Sequence, residues 1–200
     1  MLHQRDAAAR DTEVPDAALL VAVGNGDARA ARELVQRLTP RLLSHATRVL
    51  GNRAEAEEAV QETLLKLWKI APEWRQGEAK VSTWCYRVLV NHCTDRLRAR
   101  RPSVDLEAIA EPEADLATAV EQMTQDARLS ALDAALSALP ERQRQAVALR
   151  HIEELANPEI AEIMDISTEA VESLVARGKR ALVAALGGRR DELGYDDDGS

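Results

Sequence analysis

A short segment near the C-terminus carries polar side chains whose spacing suits contact with a nucleic acid. Residues 157–175 read NPEIAEIMDISTEAVESLV, in which Pro158 suits the start of one short helix and Ser167 suits the cap of a second. The outward side of the second helix would present hydroxyl, carboxylate and basic groups: Thr168, Glu169, Glu172, Ser173, Arg177, Lys179 and Arg180. Such groups can bond base edges and phosphates in the major groove. The pattern predicts a DNA-binding helix-turn-helix, although two amphipathic helices that only pack together would look similar.

A second candidate set lies in residues 81–101, VSTWCYRVLVNHCTDRLRARR, which predict one helix with a polar side. That helix carries these polar groups: Arg87, Asn91, Thr94, Arg96 and Arg98. Four of the five aromatic side chains of the chain lie within it or before it: Trp68, Trp74, Trp84 and Tyr86. Aromatic rings beside arginines and an amide suit the capture of unstacked bases. Trp68 and Trp84 fit a buried face better, which leaves Trp74 and Tyr86 as the candidates for contact.

The preceding helix, AEAEEAVQETLLKLWKIA, has an apolar face and an acidic one. Residues at helical spacing predict the buried face: Ala56, Ala59, Val60, Thr63, Leu64, Leu67 and Trp68. Glu55, Glu58 and Glu62 fall on one outer ridge, where like charges repel. Only Lys66 relieves this repulsion from within the helix. The ridge is either a solvated surface or an acidic docking site for a basic partner.

Charge is distributed unevenly along a chain whose formal net charge is -8. Residues 86–102 hold five arginines and one aspartate, and residues 176–190 hold five basic residues and no acid. Residues 103–128 instead hold seven acids and one arginine. An acidic chain can therefore still present two basic surfaces to a polyanion.

Composition indicates an all-α fold, and the acidic segment that begins between Pro102 and Pro112 predicts two small helical domains joined by a flexible linker. Ala, Leu, Arg and Glu dominate the 200 residues, Phe is absent and runs of β-branched residues are scarce. The expected organisation is a disordered N-terminus (1–15), a helical domain (16–101), the linker (102–127), a helix-turn-helix domain (128–187) and a disordered acidic tail (188–200).

The same composition argues against several other classes of protein. No apolar run is long enough to span a bilayer, and residues 1–14 lack the apolar core of a signal peptide, so we expect a cytoplasmic protein without membrane insertion. Cys85 and Cys93 have no metal-ligand spacing and are expected to be buried. The four histidines stand apart from one another in the sequence without spaced carboxylate or cysteine partners, and no phosphate-binding glycine loop occurs. We therefore expect no enzyme, catalytic residue, metal or cofactor.

Three segments in this order resemble a known family. The segments AEAEEAVQETLLKLW, VSTWCYRVLVNHCTDRLRARR and ALSALPERQRQAVALRHIEELANPEIAEIMDISTEAVESLVARGKRAL are similar to those of the extracytoplasmic-function group of sigma-70 family sigma factors. The resemblance covers about residues 16–187, and the lead LPERQRQAV before the helix-turn-helix is especially specific. It implies an alternative sigma factor that binds core RNA polymerase and directs initiation at promoters.

The resemblance also implies roles for individual residues. Glu58, Gln61 and Glu62 match the motif that docks on the β′ clamp helices of polymerase, and we assign Glu55 to the same surface. The −10 element would be recognised by Trp74 and by residues of the next helix: Tyr86, Arg87, Asn91, Arg96 and Arg98. The helix-turn-helix would read the −35 element, with the seven polar residues of its second helix given above.

Further expectations follow from the family. The implied partners are core polymerase through its β′ clamp helices and β flap, promoter DNA, and an anti-sigma factor that holds the protein in check. Asp165 stands where the family usually has a glycine, and aspartate can adopt the left-handed conformation that such a turn requires. The alternative is a stand-alone helix-turn-helix regulator, which would leave the acidic ridge and the helix 81–101 without a function.

Overall fold

Helices make up the regular structure of the computed structural model, which describes residues 14–75, 77, 80–100 and 131–187. The first body contains four α-helices and a short 3-10 turn (Ala71–Glu73): α1 (Asp16–Gly24), α2 (Ala28–Leu50), α3 (Arg53–Ile70) and α4 (Val81–Ala99). The second contains four more: α5 (131–137), α6 (Glu141–His151), α7 (Asn157–Met164) and α8 (Thr168–Gly187). This confirms the all-α prediction. The expected N-terminal segment up to residue 13, the linker and the tail lie outside the described residues.

Capping side chains set the connections around α2 and α3. Asp27 accepts hydrogen bonds from the backbone N–H groups of Arg29 and Ala30, which fixes the start of α2. Gly51 ends that helix at φ 64°, a left-handed conformation that glycine adopts without strain. Asn52 then accepts from the Glu55 N–H and starts α3. The sharp turn lays α3 back along α2.

The predicted inner face of α3 is confirmed. Five of its residues are buried and two more are partly buried against the core. On α4, Cys85 and Cys93 are fully buried free thiols, as expected, and burial raises the pKa of each to about 12. The core of the first body thus lies between α2, α3 and α4, with the outer faces of α3 and α4 left for function.

The helix-turn-helix forms with the predicted turn. Pro158 lies in the first turn of α7, where its missing N–H needs no partner. Asp165 has φ 53° and so adopts the left-handed conformation expected of it. Ser167 then caps α8 by accepting a hydrogen bond from the Ala170 N–H at 3.2 Å. These three residues set the angle between the two helices.

The crossing of α8 over α6 leaves no room for a side chain at Gly178. A Cβ built there would lie 2.5 Å from Cγ2 of Val147. Only Val171 and Gly178 are buried among the twenty residues of α8. Leu174, Val175 and Leu182 are partly buried against the apolar clusters, and the opposite side of the helix is exposed.

The two bodies pack against each other through one continuous apolar core. Ile160, Ile163 and Val171 of the second body belong to the same buried cluster as Leu89 and Leu42 of the first. A separate cluster in the second body is small and is centred on buried Leu136, Leu139 and Val147. Within the described ranges, no helix is long and apolar enough to cross a membrane.

Candidate nucleic-acid interface

The acidic ridge predicted on α3 forms, with Gln61 beside it. Glu58, Gln61 and Glu62 are exposed, while Glu55 is partly covered. An apolar groove of about 360 Å³ runs between α2 and α3 next to the ridge. Its lining includes Leu64, Leu65 and Trp68, and Gln61 lies at its edge. An acidic rim beside an apolar groove is a surface that suits a protein partner with basic and apolar groups.

The ridge is paired with side chains of α4, a contact that the sequence pattern does not predict. Arg96 donates to both carboxylate oxygens of Glu62, at 2.9 Å and 3.4 Å, and its Nη2 lies 4.0 Å from Glu58 Oε2. His92 Nδ1 lies 3.1 Å from Glu62 Oε2. The hydrogen bond from Arg96 is the main cause that lowers the pKa of Glu62. Arg96 was assigned to promoter DNA, yet here its side chain is only 19% exposed and lies along α3.

A second ion pair joins the same two helices. Arg100 pairs with Glu55 and also donates to the Leu50 carbonyl at 2.8 Å. Because α3 and α4 run in opposite directions, the start of one helix meets the end of the other. The relevant sequence signal is the four-residue spacing of His92, Arg96 and Arg100, which places all three on one stripe of α4.

The polar side of α4 divides into an exposed part and a covered part. Arg87, Asn91 and Arg98 are exposed, as a DNA-contacting role requires. Arg87 also lies 3.8 Å from Asp165 in the turn of the helix-turn-helix. Trp74 is only partly exposed, and its Nε1 is buried without a hydrogen-bond partner among the described residues.

Tyr86 does not lie where we expected it. It is 3% exposed, its hydroxyl donates to Glu153 Oε2, and its ring meets His45 edge-to-face at 5.6 Å. Burial raises the pKa of Tyr86, with the Glu153 bond as the second cause. The pattern of α4 suggested one buried side, but Tyr86 is buried on a second side, against His45 of α2 and Glu153 of the loop after α6. Contact between Tyr86 and a base would require the two bodies to separate.

Glu153, which the sequence pattern did not single out, joins the two bodies by binding side chains of the first. Its side chain is 4% exposed and pairs with Arg41 Nε at 3.4 Å, while Arg41 Nη2 donates to the Glu153 carbonyl at 3.1 Å. Lys80 and Glu159 form a further ion pair between the bodies at 2.8 Å. A glutamate in a loop gives no periodic signal, so only the tertiary structure reveals its partners.

The outer surface of α8 carries unpaired basic groups. Arg177, Lys179 and Arg180 are exposed, and within the described part of the chain none has a carboxylate within 4.0 Å. Arg177 Nε donates to the Ser173 carbonyl one turn earlier at 3.2 Å. Glu172 and Ser173 are exposed on the same helix. These groups are available to a polyanion without prior rearrangement.

Two other predicted contacts lie at the start of α8. Thr168 is partly exposed and Glu169 is exposed. The Glu169 backbone N–H and the Ser167 hydroxyl lower the pKa of the Glu169 carboxyl. Glu169 therefore stabilises the helix start, where a negative charge is favoured by the helix dipole.

Two family models match the chain in sequence order. Sigma-70 region 2 matches residues 34–102, and sigma-70 region 4 matches residues 129–182. Together they cover more than half of the chain. The first spans the body with α2, α3 and α4, and the second spans the helix-turn-helix body.

Several sigma factors are similar in sequence to this chain. The ECF RNA polymerase sigma factor SigG of Mycobacterium tuberculosis is 32% identical over 182 residues, which cover 78% of this chain and 48% of that protein. The chain therefore spans about half the length of SigG. The ECF sigma factor SigW of Bacillus subtilis is 29% identical, covering 80% of this chain and 90% of SigW. The ECF sigma-E factor of Escherichia coli is 28% identical, with 85% and 93% covered.

Two solved structures share the fold. CnrH, solved with the cytosolic domain of CnrY, matches with a TM-score of 0.65 and 22% identity, covering 86% of this chain and 97% of that one. RpoE of Bartonella quintana, solved with the anti-sigma factor NepR, matches with a TM-score of 0.64 and 22% identity, covering 78% and 96%.

Proposed function

Because this chain belongs to the sigma-70 family, in its extracytoplasmic-function group, we propose that it is an alternative sigma factor. It binds core RNA polymerase in the cytoplasm and directs initiation by contacts to the −10 and −35 promoter elements. The observation that supports this most directly is that one chain carries an acidic ridge on α3 and a bare basic surface on α8. The chain itself catalyses no reaction, since RNA synthesis belongs to the polymerase.

Polymerase binding is assigned to the ridge and the groove beside it. Glu55, Glu58, Gln61 and Glu62 would meet basic residues of the β′ clamp helices, and the groove would accept apolar side chains. Opposite charges steer association and fix the register of the complex. The β flap is the second polymerase contact that we propose, through the helix-turn-helix body.

Promoter binding is assigned to α4 and α8. Exposed Arg87, Asn91 and Arg98 would contact the −10 element, joined by Arg96, Trp74 and Tyr86 after rearrangement. The polar residues of α8 would read the −35 element. A single small DNA-binding module buries only roughly 600–1,000 Å² on DNA. Attachment to polymerase would raise the effective concentration of both weak contacts.

An anti-sigma factor is the regulator that we propose. The packing of the second body on α4 supports this, since Tyr86 is covered in this arrangement. A protein that binds and stabilises this packed arrangement would keep Tyr86 covered. Both structural neighbours were solved in complexes, CnrH with the cytosolic domain of CnrY and RpoE with the anti-sigma factor NepR.

Binding to core polymerase is the test. The purified chain is mixed with bacterial core enzyme, and the mixture is separated on a sizing column. We expect co-elution at a fixed stoichiometry, followed by specific initiation on a promoter. Absence of association, with the chain folded and free of inhibitor, would favour the stand-alone helix-turn-helix regulator instead.

A further inference from the structure

The acidic ridge and the basic stripe of α4 have been assigned to different partners, yet in this structure they bind each other. Both carboxylate oxygens of Glu62 are engaged, one by Arg96 and the other by His92 and Arg96. A basic residue of a partner must therefore displace or share these donors. Arg96 in turn is drawn down onto α3 and is only 19% exposed.

Building on the proposed function, we propose that polymerase binding and promoter binding are coupled by charge exchange at Glu62. Basic groups of the polymerase take over Glu62 and Glu58, and Arg96 is released to the phosphates of the −10 region. Arg96 therefore has two alternative partners: the ridge carboxylates in the free chain and the DNA phosphates in the holoenzyme. The free chain holds this arginine back until polymerase is bound.

Arg96 is better suited to this exchange than Arg100. Arg100 is anchored twice, by Glu55 and by the Leu50 carbonyl, whereas both contacts of Arg96 are to ridge carboxylates. Those carboxylates are 48% and 69% exposed, so a partner can reach them. An ion pair at this exposure is weak enough to be replaced by a competing cation.

Thermodynamic reciprocity links the release of Arg96 to the affinity for core polymerase. If polymerase binding frees Arg96, then loss of Arg96 must favour polymerase binding, because Glu62 no longer has to give up its internal partner. Arg96→Ala should therefore bind core polymerase more tightly while its holoenzyme binds promoter DNA more weakly. If Arg96 instead contacts DNA independently of the ridge, Arg96→Ala should weaken promoter binding and leave the affinity for core polymerase unchanged.

The matched control is Arg98→Ala. Arg98 lies on the same helix, carries the same charge and was assigned to the same DNA element, but it is exposed and has no carboxylate within 4.0 Å in the described chain. Core affinity of both full-length variants is measured by competition with labelled wild-type protein. We expect Arg96→Ala to bind core about two- to fivefold more tightly than Arg98→Ala. Equal affinities, or weaker binding by Arg96→Ala, would overturn the exchange.

A second readout separates release of Arg96 from a structural effect. The logarithm of promoter affinity is plotted against the logarithm of salt concentration for each holoenzyme. Loss of one phosphate contact lowers the slope by about 0.9, and we expect this for Arg96→Ala. An unchanged slope would mean that Arg96 never reaches DNA and would reject the proposal. Arg96→Gln, which removes the charge but keeps a polar side chain with the first three carbons, should repeat both results if folding is intact.

Failure of this inference can be told apart from failure of the proposed function. A wild-type chain that does not bind core polymerase would refute the function itself, and the exchange with it. A wild-type chain that binds core and promoter, with Arg96→Ala indistinguishable from Arg98→Ala in core affinity, would refute the exchange alone.

Discussion

The two basic surfaces of this molecule differ in how their charges are held. On α4, Arg96 and Arg100 pair with carboxylates of α3, and Tyr86 is covered by the second body. On α8, Arg177 and Lys179 have no carboxylate within 4.0 Å among the described residues. Two arginines of the first surface are neutralised by carboxylates of the same chain, and those of the second are open to solvent.

This difference shows why net charge is a poor guide to DNA binding. Arg96 and Arg100 of α4 would contribute to DNA affinity only after their carboxylates find another partner. Those of α8 already act at full strength, apart from screening by salt. Two surfaces of similar composition are therefore expected to bind DNA at different stages of assembly.

The largest expected effect comes from reversing the charge of the ridge that neutralises α4. Glu58→Lys combined with Glu62→Lys should weaken core polymerase binding by about a hundredfold or more, because like charges would then face each other. Titration against core enzyme measures the loss, and far-UV circular dichroism checks the helices. Glu73→Lys, exposed in the 3-10 turn and outside both the ridge and the groove lining, should lose far less. Wild-type binding by the double variant would remove the ridge from the interface.

The open surface is tested by Arg177→Ala. Because Arg177 has no carboxylate partner to release, this variant should bind core polymerase normally and lose about tenfold in promoter affinity. Filter binding of the holoenzyme provides the measurement. The loss should disappear on a promoter whose −35 element is scrambled. An equal loss on both promoters would show that Arg177 does not read the −35 element.

The packing of the second body against α4 can be weakened by a substitution at Glu153. Glu153→Gln removes the buried charge that Tyr86 and Arg41 bind, so the contact between the two bodies should weaken by about 1 kcal/mol. Small-angle X-ray scattering should then show a larger radius of gyration. Glu154→Gln, the exposed neighbour, is the control. Identical scattering from both variants would mean that Glu153 does not hold the bodies together.

The smallest expected effect is a pH dependence of stability that comes from His45, a fully buried residue of α2 whose ring contacts Tyr86 of α4. Burial lowers the pKa of His45 to about 4, and within the described residues neither ring nitrogen has a hydrogen-bond partner. The unfolded chain, with a histidine pKa near 6.5, takes up the proton first, so acid favours unfolding. Stability should fall by up to about 1 kcal/mol from pH 7 to pH 6 and further as pH approaches 4.

Urea titration at pH 7 and pH 6 measures this change. In His45→Leu, the free energy of unfolding should differ less between pH 7 and pH 6 than in wild type. In His151→Gln, a variant at an exposed histidine, most of the wild-type difference should remain. If the free energy of unfolding changes equally with pH in wild type and His45→Leu, other groups cause the acid sensitivity.

Local patterns in the sequence predicted much of this structure. The inner face of α3, the cap at Ser167 and the left-handed Asp165 depend on neighbours within a few residues. The contacts of Arg96 and Tyr86 depend instead on how α3, α4 and α7 meet. Helical periodicity assumes one buried face, and it fails for a helix that is covered on two sides.

The division of α8 into an inward and an outward side bears on how such a protein diversifies. Substitutions at its exposed positions, such as Glu172, Ser173 and Arg180, leave the packing of the second body unchanged, whereas Val171, Leu174 and Val175 pack against the core. Gly178 is the most restricted inward position, since any side chain there would strike Val147. A duplicated copy of this gene could therefore acquire a new set of target promoters by point mutations on α8, with little loss of folding stability along the way.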